Sequence, residues 1–144
     1  QGLETLDVRM PRHSSNALAL AEYLEGHPQV EWVSYPGLKS SKYRALADKY
    51  LPKGQSGLLS FGIKGGYEAA KKFVDSVRIF KIVANIGDVK SIITHPASTT
   101  HQQLSKEELA AAGVSETLIR VAVGIENIDD LKADFAQAFE KANA

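Results

Sequence analysis

The hexapeptide LIRVAV at 118–123 constrains the fold more than any other feature of this chain. Its β-branched residues alternate, so Ile119, Val121 and Val123 share one face of a strand while Leu118, Arg120 and Ala122 share the other. A strand with one apolar face and an arginine on the opposite face needs a layer of cover on the first side only. The segments around it supply that layer. Residues 3–25 read as a helix with Ala17, Leu20, Ala21 and Leu24 on one stripe, interrupted by Pro11, which predicts a kink or two consecutive helices. Gly26 and Pro28 end it. Strand patterns follow at 30–35, 58–64, 79–84 and 91–94. Helical patterns fall at 41–50, after Gly65-Gly66 with Ala70, Phe73, Val74 and Val77, at 105–112, and at 128–142 with Ile128, Leu131, Phe135 and Ala138. Ser105 and Glu108 have the spacing of a capping box. Helices separate most strands and hairpin signals are weak, which gives an α/β (α+β) chain, one sheet covered by helices.

Composition excludes several classes of function. A chain of 144 residues can bury one real core. Lys plus Arg equals Asp plus Glu at 17 each, so nothing in the charge balance points to nucleic acid or an acidic membrane. No apolar run is long enough to span a bilayer. There is no cysteine, which excludes disulfides and thiolate metal sites and fits a cytoplasmic protein. The opening Gln1-Gly2-Leu3 lacks an initiator Met and enters helical pattern at once, as expected of a cut inside a longer polypeptide.

The segment NIGDVKSIITHPASTTH at 85–101 carries the polar chemistry. A short β-branched run lies between two turns rich in hydroxyl, amide and imidazole groups, as in a strand whose ends face a shared pocket. Arg120 is the leading single candidate. Its guanidinium is a planar fork that matches a carboxylate, and the small Ala122 and Gly124 beside it leave room for a ligand. The residues alone leave two other roles open: snorkelling at a sheet edge, or pairing with an acid such as Asp88. His95 and His101 do not have the spacing or partners of a metal site, and a backbone-satisfied loop histidine is the expectation for each. Thr99 and Thr100 fit turn contacts to backbone. Gly65-Gly66 is a turn rather than a phosphate cradle. Arg12-His13 on the first helix is either solvated or reaches toward another domain.

Five segments together resemble one family. GLETLDVRMPRHSSNA near the start, WVSYPGL at 32–38, LSFGIKGG at 59–66, SIITHPASTTHQQLS at 91–105 and LIRVAVGIENIDDL at 118–131 are similar to the C-terminal region of the Cys/Met-metabolism family of pyridoxal-phosphate enzymes, most of all its O-acetylhomoserine sulfhydrylase branch. The resemblance covers essentially the whole chain. It implies a fold-type-I enzyme whose small C-terminal domain has a mostly antiparallel sheet covered by helices, preceded by a long kinked N-terminal helix. In that frame 1–144 is a single domain, with 1–26 an interdomain helix region and 27–144 the small α/β part. The cofactor-binding N-terminal domain lies outside it.

The resemblance also implies roles. Arg120 matches the arginine that grips the substrate α-carboxylate. Ser91 matches a serine beside the active-site lysine, and Asn85 and Thr100 lie on loops that approach the pocket; all four are candidate substrate-binding residues. Arg12 and Asn16 match residues read as interdomain structure. Cystathionine-forming and lyase relatives place a glutamate before the serine, where this chain has Lys90, as the sulfhydrylase branch does. No lysine here sits in the family's Ser-x-Thr-Lys context, so the Schiff-base lysine is expected elsewhere, with the pyridoxal 5'-phosphate it holds, and the chain alone is expected to be inactive. The implied reaction takes O-acetyl-L-homoserine and sulfide or a thiol in methionine biosynthesis, in a cytoplasmic homo-oligomer, a homotetramer, with no nucleic acid, membrane or metal. The alternatives are the same region of a cystathionine γ-synthase or lyase or of a methionine γ-lyase, a stand-alone amino-acid-binding regulatory domain, and a dimerisation module.

Overall fold

The computed structural model describes residues 1–143. Its elements in chain order are α1 (Leu6–Glu25), β1 (Val30–Ser34), α2 (Arg44–Tyr50), β2 (Leu58–Ile63), α3 (Gly66–Ser76), β3 (Lys81–Ile82), β4 (Ile92–Thr94), α4 (Lys106–Ala111), β5 (Leu118–Ala122) and α5 (Ile128–Asn143), with a 3₁₀ turn at Pro96–Ser98. The strands form one sheet in the order β1-β2-β5-β4-β3, antiparallel throughout except for the β3–β4 pair. The expected mostly antiparallel sheet with helices is the observed one.

The alternation in β5 decides the layering. Ile119 and Val121 are fully buried and face α1, α3 and α5. Phe61, Phe73, Phe135 and Phe139 interlock there at ring-centroid separations of 4.5 to 6.4 Å, the range of favourable edge and offset contacts. Ala17, Leu20, Ala21 and Leu24 of α1 complete the layer, as the helical stripe predicts. Among the described residues no helix is long and apolar enough to cross a membrane.

Three expectations change in detail. α1 runs unbroken through Pro11 instead of splitting into two helices; the proline sits in the second turn, on an exposed flank, where only one intrahelical donor is lost. The strand expected over 79–84 shrinks to Lys81–Ile82. The buried carboxylate of Asp134 on α5 accepts the backbone N–H groups of Arg78, Ile79 and Phe80 at 2.8 to 3.4 Å, so those donors are unavailable to a ladder. The helix expected from 41 starts at Arg44, because Ser41 is used in a turn, its hydroxyl accepting the Tyr43 N–H. The capping box forms, with Glu108 N–H donating to Ser105 Oγ and Ser105 N–H to Glu108 Oε2. Gly65 and Gly66 both take positive φ, 102° and 76°, to turn β2 into α3.

Candidate functional site around Arg120

The second face of the sheet has no counterpart of the phenylalanine cluster. Ser60 of β2 and Thr94 of β4 pair with Arg120 on either side. Small hydroxyl side chains therefore flank the guanidinium. A depression of about 380 Å³ opens here, lined by Ser34, Pro36, Leu58, Ser60, Leu118 and Arg120. Trp32 of β1 lies over Gly62, the partner of Leu118, where a Cβ would strike the indole.

Arg120 is half-buried. The two ion pairs among the described residues, Arg44–Asp48 and Lys106–Glu116, lie elsewhere, and no acceptor from those residues engages its guanidinium. Asp88 is not its partner: that carboxylate accepts the Lys90 N–H at 2.9 Å. A half-buried cation on an apolar and hydroxyl-lined face, without an acid beside it, is suited to an anionic ligand, because charge-assisted bidentate bonds to a carboxylate replace the water it loses.

The other candidates take different positions. Ser91 is fully buried, one residue out of phase with Ile92 and Thr94. Its N–H and hydroxyl both donate to the Glu126 carboxylate at 2.7 and 2.9 Å, and its Oγ accepts the Gly124 N–H at 2.8 Å. It thereby ties β4 to the turn after β5. Gly124 must be glycine for this: a Cβ there would run into the Val89 carbonyl and the Ser91 N–H. Asn85 is exposed and accepts the Ile86 N–H with its side-chain oxygen at 2.8 Å. Thr100 is exposed, its Oγ1 2.8 Å from His101 Nδ1. Neither lines the depression around Arg120.

α1 proves to be the structural frame of this end of the sheet. Asn16, buried, donates through Nδ2 to the carbonyls of Gly124 and Glu126 at 3.0 and 2.9 Å. Arg12 reaches the Glu126 carbonyl at 3.4 Å, and Arg9 the Gly87 carbonyl at 3.0 Å. Arg12 and Asn16 thus hold the turn after β5 within the chain. His13 is buried as well, its Nδ1 2.6 Å from the Val123 carbonyl. The sequence reading left it between solvent and a neighbouring domain. The signal was available in its spacing, since His13, Asn16, Ala17 and Leu20 fall on one helical face.

His95 is fully buried and satisfied by backbone and hydroxyl groups. Its Nε2 donates to the Glu116 carbonyl at 2.7 Å and Nδ1 lies 2.9 Å from Ser98 Oγ. Burial pushes its pKa below the ordinary histidine value, with the Glu116 hydrogen bond opposing that shift. Among the described residues no group of three His, Cys, Asp or Glu could hold a metal ion. No lysine lines the Arg120 depression. The depression thus presents one cation, the Arg120 guanidinium, and no amine among its lining residues.

The chain is similar to known proteins in sequence and in fold. The family described as "Cys/Met metabolism PLP-dependent enzyme" matches residues 1–140. The homocysteine synthase of Schizosaccharomyces pombe is 57% identical over 142 residues, covering 99% of this chain and 33% of that protein. The O-acetyl-L-homoserine sulfhydrylase of Leptospira meyeri is 53% identical over 141 residues, covering 97% and 32%. In structure, the chain is similar to a Campylobacter jejuni O-acetylhomoserine (thiol)-lyase that carries a pyridoxyl-lysine monophosphate; the TM-score is 0.89 at 51% identity, covering 97% of this chain and 33% of that one. The chain thus spans about a third of the length of the relatives it matches. On these matches and on the fold, the chain belongs to the Cys/Met metabolism family of PLP-dependent enzymes.

Proposed function

We propose that the chain is the substrate-carboxylate-binding region of an O-acetyl-L-homoserine sulfhydrylase, which replaces the acetate of O-acetyl-L-homoserine with sulfide or a thiol to give homocysteine or methionine. The observation that carries this reading is the half-buried Arg120 at the centre of the open sheet face, without an acidic partner among the described residues. The names of the relatives supply the substrate.

Pyridoxal phosphate, when bound by the remaining part of such an enzyme, withdraws electrons from the bound amino acid. The residues of this chain bind and orient. Arg120 holds the α-carboxylate by two parallel N–H···O bonds and so fixes the amino acid in one rotation. Thr94 and Ser60 flank it and leave its fork free to approach the ligand. We assign Ser91, Asn85 and Thr100 to the substrate pocket with it, Ser91 by fixing the start of β4 and the other two from the loops at the rim. The chain acts as a single domain with α1 as the link to the cofactor-binding region. The whole enzyme is a cytoplasmic homo-oligomer, a homotetramer. Leu3 and Val8 near the start of α1, and Ile82, Val83 and Ile86 in and after β3, are exposed, which supports packing against another part of the enzyme.

The test is Arg120 in the full-length enzyme. Arg120→Ala should cost on the order of 2–5 kcal/mol in transition-state binding, roughly 30-fold to several-thousand-fold in kcat/KM. Arg120→Lys keeps the charge without the fork and should fall between. Cofactor absorbance should be normal in both. Near-normal turnover by Arg120→Ala would return this arginine to a structural role. The chain alone, mixed with pyridoxal phosphate, should give no stable visible band attached to one lysine.

A further inference from the structure

A second cavity, of about 90 Å³, adjoins the Arg120 depression and shares Leu58 with it. Met10, Leu58, Ile86 and Ala122 give it apolar walls, and His13 contributes the imidazole. That imidazole is 3% exposed. Its Nδ1 faces the Val123 carbonyl at 2.6 Å, and a carbonyl only accepts, so the ring proton is on Nδ1. Nε2 is consequently a bare acceptor, buried and without a partner among the described residues.

The nearby polar groups are already engaged. The Gly57 carbonyl accepts the Val123 N–H at 2.8 Å, and the Gly87 carbonyl accepts from Arg9 at 3.0 Å. The Ser56 carbonyl accepts the Tyr35 hydroxyl at 3.0 Å, and its Oγ accepts the Leu58 N–H at 3.2 Å. Among the described residues Ser56 is also the only non-glycine at positive φ, 72°, so the rim of this cavity is where the backbone departs furthest from ordinary geometry.

The walls therefore specify a ligand that is small, mostly apolar and a hydrogen-bond donor. The space, about 90 Å³, is small beside the Arg120 depression of about 380 Å³. A charged thiolate would lose its hydration against these walls without gaining a donor. A neutral thiol loses little and gives its S–H to Nε2. Position agrees with this chemistry. Ala122 follows Arg120 by two residues on the same face of β5, about 6.7 Å along the strand. An amino acid held at Arg120 by its carboxylate can lay its reactive end toward this wall.

We propose that the His13 cavity is the seat of the second substrate, a protonated small thiol such as hydrogen sulfide or methanethiol, held by an S–H···Nε2 hydrogen bond. The proposal rests on the sulfhydrylase reading above. It names the class of nucleophile and gives it a place in the fold.

The test uses the full-length holoenzyme. His13→Asn keeps an amide donor for the Val123 carbonyl and removes the Nε2 acceptor. It should raise KM for sulfide about five- to tenfold, the loss of one hydrogen bond, with KM for O-acetyl-L-homoserine within about twofold of wild type. Ala122→Val leaves His13 intact and narrows the cavity, so KM for methanethiol should rise more than KM for sulfide. Independently of turnover, methanethiol should move the ¹⁵N shift of His13 Nε2 in wild type and not in Ala122→Val. Unchanged thiol KM in both variants, or an unresponsive Nε2 in an enzyme that exchanges acetate for sulfide normally, overturns the thiol seat alone. A wild-type enzyme that performs no such exchange overturns the sulfhydrylase reading itself.

Discussion

The two faces of this sheet are built from alternate residues of the same strands, yet they solve opposite problems. On one face Ile119, Val121, Phe61 and Ile63 are buried to 1% exposure or less under α1, α3 and α5. On the other, the same strands present Ser60, Leu118 and Arg120, all half-buried, to an open depression. The first face is satisfied within the chain by apolar contact. The second leaves a cation without an acid among the described residues. A sheet that needed only stability would place a carboxylate near Arg120, or no arginine at all, since a half-buried charge gains nothing from burial by itself. The difference supports the proposed carboxylate site on the open face, with stability supplied by the closed one.

The sharpest way to break that contrast is to cut the closed face. Phe135 has no exposure and its ring lies 4.6 Å from Phe80, 5.1 Å from Phe73 and 5.9 Å from Phe61. Phe135→Ala should destabilise by about 3–5 kcal/mol, transfer plus cavity. Urea unfolding measures it. A loss below about 1 kcal/mol would mean that the helices do not pack as a rigid layer.

The seam between the faces should respond next. Glu126 accepts both the N–H and the hydroxyl of Ser91, and Ser91 has no access to water. Glu126→Ala leaves those donors buried and unpaired, at a cost of about 1–3 kcal/mol. Glu126→Gln keeps one acceptor and should cost less. Faster amide exchange at Ser91 and Gly124 in Glu126→Ala would locate the loss at this seam. Unaltered exchange at both would mean that the carboxylate does not hold the start of β4.

The sequence made the closed face legible and the seam largely illegible, for a physical reason. Burial of apolar residues follows period, so the α1 stripe and the alternation of 118–123 could be read directly. Arg120 stood out because it breaks that alternation with a charge. Its neighbours Ser60 and Thr94 could not be read, because cross-strand register is a property of pairing between distant segments. The same limit applies to Asp134, which shortens β3 from 54 to 56 residues away. His13 and Asn16 carried their signal in helical spacing, but their partners lie at Val123–Glu126, more than a hundred residues on. Contacts that rest on one side chain and one distant carbonyl leave no periodic trace.

A smaller effect is expected from pH. His95 is buried at the end of β4 with its pKa lowered chiefly by desolvation. The unfolded chain therefore binds a proton at a pH where the folded chain does not. Stability is fully present above the ordinary value of about 6.5 and is lost as pH falls below it toward the folded value. One such group can contribute a slope of at most about 1.4 kcal/mol per pH unit. Thermal melts from pH 8 to 5 should be flat at first and then decline, and His95→Gln should remove its share of the decline. A melt that improves on acidification over that range would show the imidazole to be charged in the folded state.

The smallest expected effect is that of Arg120 on folding, and it bears most directly on the two faces. Arg120 has no ion pair among the described residues, and Arg120→Met keeps an aliphatic stem against Leu118 and the depression wall. A substitution that breaks no cap, network or packed contact changes stability by about 0.5 kcal/mol or less. Relief of an unpaired half-buried charge could even make the sign favourable. The same substitution in the full-length enzyme should abolish most of the carboxylate binding. A stability loss above about 1.5 kcal/mol would place the guanidinium among the groups that hold the chain together, and the open face would then be structural like the closed one. No loss of stability with loss of substrate binding would separate them, because a group that holds the fold together cannot be removed without cost to it.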